Sequence, residues 1–79
     1  MDSLSLIREF VHERIGVEPA RVVPEAALET LGVDSLMLLE LIFEFEQRFR
    51  ITLPAGLQSP RTVSEMVTMM DRLRNAQQP

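Results

Sequence analysis

The sequence predicts an all-α fold, and three observations lead there. Apolar residues recur at spacings of three and four in three separate segments, no stretch alternates with period two, and Gly or Pro stands between the segments where helices stop. Seventy-nine residues, 46% of them hydrophobic, supply one small core and not two. Residues 1–79 are therefore expected to form a single domain. With no Cys for a disulfide or a thiolate metal site, packing alone must hold it.

The first helix is expected to start from a cap at Asp2 or Ser3. Leu4, Ile7, Phe10, Val11 and Ile15 fall on its inner side, and Arg8, Glu9, His12 and Glu13 on the other. Gly16 suits the left-handed position that ends a helix. Val17 to Val33 is a long connection carrying Pro19 and Pro24, so its Val22, Val23, Leu28 and Leu31 are expected to pack on the core, with a short helical turn over Pro24 to Thr30.

The second long helix is predicted from Ser35 to Phe49. Residues placed every 100° put Leu38, Leu41, Ile42, Phe45 and Phe49 on one core stripe. Opposite lie Leu36, Glu40, Phe43 and Gln47, flanked by Met37 and Glu44 on one edge and by Leu39 and Glu46 on the other. An outward half that mixes large apolar groups with carboxylates is unusual for a purely solvated face. Ile51 to Pro54 reads as extended chain and Ala55 to Gln58 as one further turn. Thr62-Val63-Ser64-Glu65 has the capping-box spacing and opens a last helix with Val63, Met66, Val67, Met70 and Leu73 inward. Residues 75–79 are expected to fray.

Composition excludes several functions. The longest uninterrupted apolar stretch, Leu36 to Leu39, is far short of a membrane span, and Met-Asp-Ser-Leu lacks the basic flank of a signal peptide, so a soluble, cytoplasmic protein is expected. His12 is the one imidazole, which leaves no His-rich metal site, and no metal is expected. Six acids lie between Val22 and Gln47 with no basic residue among them, while all eight Arg lie outside that window. Such an acidic middle argues against nucleic acid, which needs a basic stripe, and for partner proteins with basic surfaces.

Chemistry concentrates in Leu31-Gly32-Val33-Asp34-Ser35-Leu36. A Ser at the mouth of a strongly apolar helix sits beside backbone N–H groups without intrahelical acceptors and at the positive end of the helix dipole. That place tolerates a phosphodiester. Taken alone, Asp-Ser before an apolar run is more simply a helix cap at either residue. The longer series is more specific. With Glu40-Leu41, Phe49, Leu53-Pro54 and Thr62-Val63 following, the chain resembles the acyl carrier protein family along nearly its whole length.

The resemblance implies a bundle of three main helices plus one short helix, with a long loop between the first two. It also implies 4′-phosphopantetheine, derived from coenzyme A, on Ser35, whose terminal thiol holds acyl chains as thioesters. Gly32, Asp34 and Leu36 are then the setting of that Ser. The implied partners are a phosphopantetheinyl transferase, an acyl transferase or acyl-activating ligase, and a ketosynthase or other acyl-processing enzyme, working with a monomeric carrier. They are expected to dock on Met37, Leu39, Glu40, Phe43, Glu44 and Glu46 beside Leu36. Leu41, Phe45, Leu53, Leu57 and Val63 are the expected walls of an acyl pocket, with Met66, Met69 and Met70 as adaptable neighbours.

An acid before the Ser resembles fatty-acid and polyketide carriers, whereas peptidyl carriers often show Gly-Gly-His/Asp-Ser, so a peptidyl or aminoacyl carrier is the alternative. Met37, Leu38, Phe43 and the absence of Lys depart from the housekeeping fatty-acid pattern and suggest a specialised pathway. An unmodified all-α interaction module is a rival of another class, but it has no need of Gly32, Asp34 and Ser35 together. No catalysis is expected. Gly32 to Leu36 only partly resembles the Gly-Asp-Ser-Leu hydrolases, because Val33 interrupts the motif and the chain is too short for their sheet. His12 on a polar helix side is an ordinary surface residue, not the base a nucleophilic Ser requires.

Overall fold

Each of the first two helices begins where an Asp supplies its cap. In the computed structural model, which describes residues 2–53 and 59–77, the helices are α1 (Ser3–Ile15), α2 (Ser35–Phe49) and α3 (Val63–Gln77). Single 3-10 turns at Pro19–Arg21 and Glu29–Leu31 interrupt the long connection. Among the described residues the only β feature is an isolated bridge between Ala27 and Thr62, so the all-α bundle is as the periodicity predicts. The expected turn after Pro24 falls late in its window, over Glu29–Leu31, and the one at Pro19–Arg21 starts on a proline whose fixed φ suits a first helical position. The turn expected at Ala55 to Gln58 lies outside the described residues.

Asp2, not Ser3, caps α1. Its carboxylate accepts the Ser5 N–H at 2.7 Å, and hydrogen bonding from the Ser5 hydroxyl, together with that N–H, holds its pKa below the ordinary aspartate value. Ser3 is buried, and its hydroxyl donates to Asp71 of α3 at 2.6 Å, tying the two helices. The helix ends at Gly16, in the left-handed region at φ 73°. At α3 the predicted box forms: Thr62 Oγ1 accepts the Glu65 N–H, and the Glu65 carboxylate accepts those of Arg61 and Thr62.

The core joins Leu6, Ile7, Phe10 and Val11 of α1 to Leu41 and Phe45 of α2 and to Val63, Met66 and Met70 of α3. Val17, Val22, Leu28, Leu31, Val33 and Ile51 close it from the connections. Two α1 positions differ from the expected stripe: Leu6 is buried, and Ile15 is 37% exposed. The helix packs against both α2 and α3, which buries a wider arc at its start and leaves its last residue at the edge. Val23 is likewise only half-buried.

Backbone bonds zip the long connection to the start of α3: Leu28 N–H to the Arg61 carbonyl (2.9 Å), Val63 N–H to that of Ala26 (3.0 Å) and Ser64 N–H to that of Pro24 (2.9 Å). Arg8 adds two donations to the Val22 carbonyl. Helix α3 continues to Gln77, three residues into the stretch expected to fray, because the Gln77 amide exchanges hydrogen bonds with the Thr52 backbone at 2.9 and 2.7 Å. No helix among the described residues is long and apolar enough to cross a membrane.

Candidate functional site

The approach to α2 is set by backbone geometry. Gly32 adopts φ 93°, a conformation costly for any residue with a Cβ, and its N–H reaches the Glu29 carbonyl at 3.0 Å. The reversal buries Val33, whose N–H bonds the Leu28 carbonyl, and turns Asp34 and Ser35 out into solvent. Asp34, extended at φ −86° and ψ −173°, is the cap: its carboxylate accepts the Met37 N–H at 2.8 Å. Ser35 is thereby relieved of capping. It is the first residue of the helix, exposed, and its hydroxyl has no hydrogen-bond partner among the described residues.

Beside it opens a recess of about 690 Å³, within the usual range for small-molecule sites. It is lined by Leu38, Leu39 and Ile42 of α2 with Val33, Asp34 and Ser35 at the helix start, by Ala27 to Glu29, and by Ser59, Pro60 and Arg61. None of the described residues expected as acyl walls lines this recess. Leu41, Phe45 and Val63 are fully buried in the core, Leu53 is half-buried against it, and Leu57 lies outside the described residues. Leu38 and Ile42 are on the predicted stripe, but at the edge that faces the recess. Nothing in the pattern of Ser59 to Arg61 marks them as a wall.

On the outward side Leu36, Leu39 and Phe43 are 67, 46 and 52% exposed, as the helical wheel predicts, with Met37 half-buried. The acids there are less bare than their sequence window suggests. Glu40 pairs with Arg14 of α1 at 3.0 Å, and Glu44 with Arg48 one turn on at 3.2 Å. Arg48 also binds Glu9 at 3.0 Å, and that bond, with the charges of Glu9, Glu44 and Glu13, holds its guanidinium above its ordinary pKa. The Glu46 carboxylate accepts the Leu53 N–H at 3.3 Å and so ties down the chain that leaves α2.

These residues fit a group joined through a phosphodiester: an exposed hydroxyl at a helix N-terminus, a neighbouring carboxylate already engaged, and an adjoining recess of mixed apolar and polar lining. Residues 1–70 match the family model described as a phosphopantetheine attachment site. The chain belongs to the acyl carrier protein family. An acyl carrier protein of Zymomonas mobilis is 38% identical over 72 residues, covering 89% of this chain and 92% of its own length. One of Thermotoga maritima is 33% identical over 70 residues, 86% of each chain, and one of Karelsulcia muelleri is 47% identical over 49 residues, 61% of this chain and 59% of its own. Membership carries with it an acyl carrier role and a covalent phosphopantetheine, whose thiol supplies the thioester chemistry when bound. An acyl carrier works with acyl-processing enzymes as partners and is not itself a catalyst.

Proposed function

We propose that Ser35 carries the 4′-phosphopantetheine, installed from coenzyme A by a phosphopantetheinyl transferase, and that residues 1–79 act as one cytoplasmic carrier domain presenting acyl thioesters to fatty-acid or polyketide enzymes. The observation that carries this reading is the division of labour at the start of α2. Asp34 takes the cap and Ser35 is left exposed beside a recess. Gly32 shapes the reversal that presents the pair, and Leu36 stands exposed on the far side, where a transferase can reach it. An acyl chain lies along Leu38, Leu39 and Ile42 in the recess, while Leu41, Phe45 and Val63 stay in the core. Partners meet Leu36, Met37, Leu39 and Phe43 with apolar groups, and Glu40 and Glu44 with Arg or Lys.

Intact mass after incubation with coenzyme A and a promiscuous transferase tests the attachment. One phosphopantetheinyl increment is expected on the wild type and none on Ser35→Ala, because Ser3, Ser5, Ser59 and Ser64 lack the Gly-x-Asp-Ser-Leu setting. A wild type left unmodified under conditions that load a control carrier, or a loaded Ser35→Ala, overturns it.

A further inference from the structure

Arg61 stands apart from the other features of the recess. Its backbone is fixed on both sides, the N–H by the Glu65 carboxylate at 2.7 Å and the carbonyl by the Leu28 N–H at 2.9 Å. Its guanidinium, by contrast, makes no hydrogen bond or ion pair with a described residue. It is the one cation among the described residues lining the recess, where the other charges are the carboxylates of Glu29 and Asp34. We propose that Arg61 is a positioning residue for the prosthetic arm, its guanidinium holding the phosphodiester anion attached at Ser35 and so drawing the arm into the recess toward Ser59 and Pro60.

The inference rests on the reading of Ser35 as the attachment site. A phosphodiester there adds a negative charge to a lining already net negative, and like charges at close range repel. An Arg in the lining of the same recess relieves that repulsion and offers the forked donors that suit phosphate oxygens. Fixed ends and a free head also make Arg61 a residue that can respond to the arm without disturbing the fold.

The test uses the holo protein, with loading established first by intact mass, and compares the ³¹P resonance of the phosphodiester in the wild type, Arg61→Gln, Arg61→Lys and Arg72→Gln. Arg72 is exposed on α3 and outside the recess lining. The resonance is expected to move in Arg61→Gln, to move less in Arg61→Lys and to stay in Arg72→Gln. The Arg61 Nε–H signal should shift between apo and holo wild type. At about 1 M salt, where the Debye length is about 3 Å, the wild-type ³¹P resonance should approach that of Arg61→Gln.

Identical ³¹P resonances in wild-type and Arg61→Gln holo protein overturn the proposal. So does an Arg61 signal that moves only when the arm carries a succinyl group, which would assign the guanidinium to a carboxylate on the cargo. A chain that gains no mass overturns the attachment at Ser35 and this inference with it, whereas a loaded chain with unmoved resonances overturns this inference alone.

Discussion

Gly32 and Ser35 are three residues apart and do different work. Gly32 occupies φ 93° and Gly16 occupies φ 73°, so Ala at either position meets the left-handed penalty of about 1–2 kcal/mol. A Cβ on Gly16 meets nothing within 4 Å, and one on Gly32 meets only the Ile15 Cδ1 at 3.2 Å, the tip of a partly exposed side chain that can swing aside. Gly32→Ala and Gly16→Ala are therefore expected to lower the urea midpoint by similar amounts with m unchanged. Only Gly32→Ala should also slow loading of Ser35, since it disturbs the reversal that presents the hydroxyl. A Gly32→Ala chain as stable as the parent would contradict the backbone assignment. The sequence told that a Gly belongs here, but not which of Asp34 and Ser35 caps α2. Both are good caps, and the choice depends on Asp34 holding an extended backbone that a linear reading does not contain.

At the scale of the helix, periodicity resolves α2 at its centre and loses it at its edge. Leu41 and Phe45 sit mid-stripe and are fully buried, whereas Leu38 and Ile42 share the stripe yet line a recess. Their surroundings include Ser59 to Arg61, which reach them only because the long connection is zipped to the start of α3. A pattern within one helix carries no information about that neighbour, and the same blindness exchanged Leu6 for Ile15 in α1. The centre of the stripe supports a sharp contrast. Phe45→Ala removes a fully buried ring packed edge-on against Phe49 at 5.1 Å and is expected to cost about 3–5 kcal/mol in chemical denaturation. Phe43, two residues away and 52% exposed, should cost within about 0.5 kcal/mol as Ala while weakening partner binding. If Phe43→Ala unfolds the domain and Phe45→Ala does not, the two faces of α2 are exchanged.

Across the whole molecule, charge is arranged in space differently from its arrangement along the chain. The acidic window from Val22 to Gln47 holds no cation, but folding brings Arg14 to Glu40 and Arg48 to Glu44 and Glu9. Exposed pairs of this kind add little to stability, so a basic partner displaces them at little cost. They nonetheless moderate the field the partner feels during approach. A carrier that must release its partners quickly is better served by steering than by a large apolar interface, because steering acts on the association rate. Two changes of opposite sign follow. Arg14→Gln frees Glu40 and takes one positive charge from a net −4, giving −5, so association with a basic-surfaced transferase at low salt should speed up. Glu40→Arg with Glu44→Arg puts cations beside Arg14 and Arg48, so association should slow and its salt dependence weaken, with the helical circular dichroism retained. Stopped-flow association rates, measured across salt concentrations, should diverge for the three proteins at low salt and converge when screening is complete. Equal rates at low salt would remove steering by this face from the account, and slowing by Arg14→Gln would mean that Arg14 itself, not the acid it covers, is what the partner contacts.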